Sequence, residues 1–202
     1  MKVLATVILS SFFGLASAQY YYDKLYSLSL DMNQPLSNTE FLETFSSSGG
    51  RFAFNSFVSE NFSAGLDLSW NRYVQTDPRQ TYYSPGGAFT AEYHKYIITY
   101  GLALKVGYYL KPSERFTPFF NINLGASNVD YKLYYNIYSD GESAWGFLGR
   151  PEAGVMWRLG QHSSWGLQAT VHYLWIGAKS DLFDYKNFST LGLSIGVVSL
   201  DW

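Results

Sequence analysis

The stretch Tyr96–Leu110, YIITYGLALKVGYYL, sets an apolar or aromatic side chain at every even position: Tyr96, Ile98, Tyr100, Leu102, Leu104, Val106, Tyr108 and Leu110. The odd positions, Ile97, Thr99, Gly101, Ala103, Lys105, Gly107 and Tyr109, are mostly small or polar. A period of two belongs to a β-strand, and at about 3.3 Å per residue this one would run roughly 50 Å, whereas soluble strands stop at about 3 to 10 residues. So long an apolar face needs an apolar solvent, and Lys105 on the other face needs an enclosed polar space.

The same beat recurs to give eight strands. In Leu25–Asn33, Tyr26, Leu28, Leu30 and Met32 oppose Ser27, Ser29 and Asp31. In Arg51–Val58, Phe52, Phe54 and Val58 oppose Arg51 and Asn55, and in Phe62–Tyr73, Leu66, Leu68 and Trp70 oppose Asp67, Ser69 and Asn71. After the opening stretch come Pro118–Val129, Phe147–Leu159 with Arg150 and Glu152 on its polar face, Trp165–Trp175 with His172 there, and Ser189–Trp202. Two places are awkward. Pro151 lacks the N–H a ladder needs, which predicts a bulge or the strand's upper end, and Val197–Val198 breaks the beat, which predicts either a bulge that turns Val198, Leu200 and Trp202 outward or an early end.

The links alternate in length. Ser59–Asn61, Lys111–Arg115 and Gly160–Ser164 are tight turns; Gln34–Gly50, Val74–Ala91, Leu133–Gly146 and Gly177–Asn187 read as long loops. Residues opposite each other in an antiparallel pair share a face, and the flanking pairs Val58/Phe62, Leu110/Phe116 and Leu159/Trp165 all keep the apolar phase. Short turns on one side and long loops on the other are the pattern of a membrane β-barrel. Only helices and closed barrels satisfy every backbone group inside a bilayer. The fold class expected is therefore all-β, an eight-stranded antiparallel up-and-down transmembrane β-barrel. Phe62, Trp70, Tyr96, Tyr108, Trp157, Trp165, Tyr173 and Trp175 lie toward strand ends, where aromatic girdles belong. The alternative, a secreted β-sandwich, would carry Lys and Glu on its outer faces. Here the polar faces are rich in Gly, Ser, Asn and Thr, and charged residues make up only 15% of the chain.

Residues 1–18 read as an export signal: Lys2, an apolar run Val3–Leu15, and Ala16-Ser17-Ala18 before Gln19. Residues 19–202 would then be the barrel domain. There is no cysteine, so neither disulfides nor a lipid-anchor cysteine is expected, and a net charge of −2 offers no footprint for nucleic acid.

The segments YSLSLDMNQPLSNTEFLETF (Tyr26–Phe45), GGRFAFNSFVSENFSAGLDLSWNRYV (Gly49–Val74) and LGLSIGVVSLDW (Leu191–Trp202) resemble the small bacterial outer-membrane β-barrel family, the OmpA/OmpW-like barrels. The resemblance implies residence in the bacterial outer membrane, contact with its lipids and lipopolysaccharide, and insertion by the barrel-assembly machinery, with the terminal aromatic Trp202 as the assembly signal. No peptidoglycan-binding domain is expected after the barrel. A structural or surface-interaction role is expected, with a narrow porin-like channel as the alternative and a lipid-modifying enzyme behind it.

For sites, the sequence offers no zinc spacing and no cofactor motif, so neither metal nor cofactor is expected. His162-Ser163-Ser164 has the spacing of a hydrolase pair but sits in a short turn. The candidate site is a polar lumen network of Arg51, Asp67, Lys105, Arg150, Glu152 and His172. Counting from the turns puts Glu152 opposite His172, Asp67 opposite Lys105, and Arg51 diagonal to Asp67. His172 would pair with a lumen carboxylate. The aromatic loops, with Tyr82, Tyr83, Tyr134, Tyr135, Tyr138 and Phe183, could hold a ligand or pack on themselves.

Overall fold

The structure, a computed structural model, describes residues 23–84, 87–112, 114–135, 138–160 and 163–201. The expected export signal, His162 and Trp202 lie outside the described residues, as do the side chains of Tyr82 and Tyr83.

The eight alternating runs become β1 (Lys24–Pro35), β2 (Ser46–Phe57), β3 (Phe62–Ser84), β4 (Gly87–Tyr109), β5 (Phe116–Tyr135), β6 (Tyr138–Arg158), β7 (Trp165–Ile176) and β8 (Phe188–Asp201). Each pairs antiparallel with its neighbours in sequence, and β1 pairs with β8, so the sheet closes into a barrel. Closure pairs the edges that would otherwise present bare backbone groups to lipid. The faces divide as the periodicity predicts: Leu104 is 66% exposed and Leu30 69%, while their neighbours Lys105 and Asp31 are 4% and 1% exposed. Exposed leucine on this scale is unsuited to water and suited to hydrocarbon.

Two of the expected long loops are strand instead. β2 last meets β3 at Ser48 and Arg72, and β7 last meets β6 at Leu148 and Ile176. Past those points β3, β4, β5 and β6 continue as a four-stranded sheet that stands above the barrel rim and takes in most of 74–91 and 133–146. The period-two signal fades there because neither face is uniformly buried. Cross-strand pairs hold the ribbon instead, among them Thr81 Oγ1 to Thr90 Oγ1 at 2.9 Å and the Tyr135 hydroxyl donating to Asp140 at 2.9 Å. The expected loop Gln34–Gly50 is shorter than expected, because β1 runs to Pro35 and β2 starts at Ser46; the remaining link 36–45 and the link 177–187 are non-strand apart from an isolated bridge between Ser180 and Tyr185.

Three further expectations are corrected. Leu110 faces Pro118, not Phe116: its N–H donates to the Pro118 carbonyl at 2.9 Å, continuing the register of the Tyr109–Phe119 pair. Pro151 produces neither a bulge nor an end. It pairs with Ile122 of β5, and on the β7 side the ladder lapses only between Gly149–Trp175 and Glu152–His172, in unchanged register. β8 keeps its phase to Asp201, so Val198 and Leu200 turn inward, fully or almost fully buried.

That inward turn has a reason. Val198 and Leu200 join Leu25, Phe57, Tyr109, Phe119 and Met156 in an apolar layer across the short-turn end of the lumen. Phe57 meets Tyr109 at 5.1 Å and Tyr109 stacks on Phe119 at 5.3 Å between ring centroids. At the other end Tyr73, Ile97, Val129, Tyr131, Leu148, Leu174, Ile176 and Phe188 form a second apolar layer, closed from above by Phe41 and Leu42 of the first long loop and Ala178 of the last. Asn38 pins that lid. It takes a left-handed conformation (φ 57°), which asparagine tolerates; its carbonyl accepts from Phe41 and Leu42, and its amide donates to the Asn187 carbonyl at 2.9 Å.

Candidate functional site

Between the two apolar layers every strand contributes buried polar side chains, interspersed with small residues such as Ala53, Ala103 and Gly192, and this middle layer is the site. Burial without a partner would make any charge there costly, and so would an unequal count of signs. Three cations, Arg51 (β2), Lys105 (β4) and Arg150 (β6), meet three carboxylates, Asp31 (β1), Asp67 (β3) and Glu152 (β6).

Glu152 is the hub. Arg51 Nη1 donates to its Oε2 at 2.5 Å, and Lys105 Nζ and Asn121 Nδ2 each donate to its Oε1 at 2.7 Å. Arg150 Nη2 pairs with Asp67, and Arg51 Nε lies 3.7 Å from Asp31 and 3.9 Å from Asp67. Arg51 therefore crosses the lumen from β2 to β6 and touches carboxylates of three strands.

His172 occupies a neutral pocket beside this cluster. Its Nε2 is 2.9 Å from Asn33 Oδ1 and its Nδ1 is 3.2 Å from Ser194 Oγ. The Asn33 amide donates to Asn71, so Oδ1 is the acceptor and the imidazole carries its proton on Nε2; Ser194 then donates to Nδ1 and accepts from Arg51 Nη2 at 2.7 Å. Gly192 faces the ring directly, and a Cβ there would collide with Asn33 and His172. A serine beside an imidazole can be a nucleophile pair. Here both are buried beneath the apolar lid, His172 2% and Ser194 0% exposed.

All six expected lumen residues face inward and are buried. Glu152 and His172 are direct cross-strand partners, and Arg51 is diagonal to Asp67 through Ser69. Two contacts differ from expectation. Asp67 faces Ala103 while Lys105 faces Gly65, because Phe62 pairs with Tyr108 rather than Leu110; Lys105 binds Glu152 and Asp67 binds Arg150. His172 takes Asn33 and Ser194 rather than a carboxylate, since Glu152 is already held by cations. Asp31, Asn33, Asn121 and Ser194 also belong to the network, beyond the six expected residues. Their inward parity was legible, but contacts across the lumen depend on the stagger of strands around the ring.

Compared by sequence, the chain matches no family model and no curated protein. Compared by fold, it is similar to Neisserial surface protein A, NspA (TM-score 0.56, 13% identity, covering 87% of this chain and 96% of that one). It is also similar to Ail, the attachment invasion locus protein of Yersinia pestis, solved in complex with the heparin analogue sucrose octasulfate (TM-score 0.51, 12% identity, covering 89% and 98%). The class is thus defined by fold: the chain is a small eight-stranded antiparallel β-barrel of the kind those two proteins adopt. Within that class its particulars are a charge-balanced middle layer flanked on both sides by apolar layers and a four-stranded sheet rising from one side of the rim.

Proposed function

We propose that the protein is a closed surface barrel that acts through its outward face, its loops and the sheet above its rim, and does not act as a pore. The observation that carries this reading is the layering of the lumen: apolar, ionic, apolar. An eight-stranded barrel has an interior only about wide enough for its own side chains. A conducting path would more readily leave one sign of charge along open water. The channel alternative has one observation in its favour. Both carboxylate oxygens of Asp31 and the amide of Asn55, in the middle layer, have no hydrogen-bond partner among the described residues, and such groups could line a file of water. The apolar layers above and below interrupt that path.

In planar bilayers the folded protein should show no steady ohmic conductance; large, sustained steps would replace this reading with the pore. The partners of the lower outward face are membrane lipids, and Trp202 serves as the assembly signal. Residues 1–18 are removed on export: N-terminal sequencing of the protein from outer-membrane vesicles should begin at Gln19, and recovery of an uncleaved chain would contradict it.

A further inference from the structure

Above the apolar belt the outward face of β3, β4 and β5 changes chemistry. Arg72, His94 and Lys132, one from each strand, surround a recess of about 380 Å³ whose other walls are Tyr96, Ile98 and Tyr134. The ladders bring them together: Arg72 is the partner of Ile98, Lys132 of Tyr96, and Tyr134 of His94. The Arg72 guanidinium lies over the Tyr96 ring, 5.3 Å from its centroid, and the Tyr96 and Tyr134 rings meet edge to face at 5.6 Å.

The cations here are not consumed by neighbours. Among the described residues neither Arg72 nor Lys132 has a carboxylate within ion-pair distance. Two acids share the face. Glu92 lies 3.6 Å from His94, which leaves the histidine the least available of the three, and Asp130 is the β5 partner of Ile98 at the lower edge. Glu92 and Asp130 equal Arg72 and Lys132 in number, so the face as a whole carries no net charge, and the positive charge is concentrated at the recess, which Arg72 and Lys132 line and the two acids do not.

Depth selects the ligand. From Phe62 to Arg72 along β3, a rise of about 3.3 Å per residue at a tilt near 40° lifts the chain roughly 25 Å along the barrel axis, the height of the apolar band in this class. Just below lie Trp70 and Tyr100, cross-strand partners and both exposed. The recess opens sideways into lipid at the level of headgroups, where a soluble acidic protein would meet lipid first. We propose that Arg72 and Lys132, with the tyrosines Tyr96 and Tyr134, bind the phosphate of an outer-leaflet lipid headgroup. Arg72 and Lys132 make charge-assisted contacts to phosphate oxygens, and the lipid's acyl chains lie down the apolar face past Ile98 and Tyr100. The inference rests on the outward face lying in the membrane and is independent of whether the lumen conducts.

The test uses the full chain folded in phosphatidylcholine nanodiscs, titrated with a phosphorylated, acylated glucosamine disaccharide and with its dephosphorylated form, and read by native mass spectrometry. The phosphorylated lipid should bind at least about tenfold more tightly, the scale expected for two cations at a membrane surface. Arg72→Gln with Lys132→Gln should abolish that preference. Lys132→Arg should keep it, and so should Lys24→Gln, which removes an exposed cation at the other end of the barrel. If the double variant does not fold, Lys132→Gln alone should lower the preference severalfold. An unchanged preference in the folded variants overturns the site, as does inorganic phosphate that competes with the lipid at equal concentration. Failure of the unaltered protein to enter the discs would instead refute the membrane placement itself, a distinct result.

Discussion

Glu152→Gln isolates the ionic layer. The carboxylate is fully buried and receives Arg51 at 2.5 Å and Lys105 at 2.7 Å, with Arg150 Nε at 3.9 Å. Glutamine keeps the shape and an oxygen for Asn121 but leaves Arg51, Lys105 and Arg150 facing only Asp31 and Asp67. Removing one partner from a buried pair costs about 3 to 5 kcal/mol, because the remaining charge stays desolvated. Lys105→Met reverses the imbalance and should cost a similar amount alone. Together the two substitutions restore equal numbers of each sign, so their combined cost should fall short of the sum by about 2 kcal/mol, within the range of coupling found for contacting groups. Asp67→Asn with Lys105→Met should show weaker coupling, since these two make no contact and Asp67 belongs to Arg150 and Arg51. Equilibrium urea unfolding in lipid vesicles of the three single and two double variants measures both couplings. A cost for Glu152→Gln under about 1 kcal/mol, or additivity within about 0.5 kcal/mol, would refute the hub.

Two other expectations test the outward face and the lid. Leu104→Arg, at the most lipid-exposed level of β4, should cost about 2 to 4 kcal/mol of folding free energy in bilayers; a cost near zero would take Leu104 off the lipid face. Glu142, on β6 above the rim, accepts from the Ser180 hydroxyl at 2.5 Å and from the Leu182 N–H at 2.9 Å, and these bonds hold its carboxyl below the usual carboxylate range. A lowered folded-state value means the last loop's docking is fully present above the unfolded carboxyl's pKa, about 4.3, and is lost as the pH falls through the folded value. The protection factor of the Leu182 amide, its exchange relative to an unstructured chain at the same pH, should therefore fall in acid, and Glu142→Ala should lower it likewise at neutral pH; an amide equally protected in both conditions would contradict the docking role.

The barrel was legible in the sequence because its signal is local: a strand of period two exposes or hides each side chain by parity alone, whatever the neighbouring strands do. Parity sufficed to place Arg51, Asp67, Lys105, Arg150, Glu152 and His172 indoors and Leu104 outdoors. The short turns carried the register of β2 against β3 and of β6 against β7, which is why Glu152 was found opposite His172. Tertiary structure alone decided the rest. The register of β3 against β4 is set by a long ribbon and a shift between Asp77 and Gln80, so counting from the short turns does not give Lys105 its true partner. The extension of four strands past the rim is not legible in the sequence, because periodicity vanishes where neither face is consistently buried. Val198 and Leu200 looked like a broken beat, yet they close the lumen's end, since a barrel interior accepts apolar residues wherever they can meet one another. The Arg51–Glu152 bond spans the lumen between strands four apart, and such contacts arise only from closing the ring.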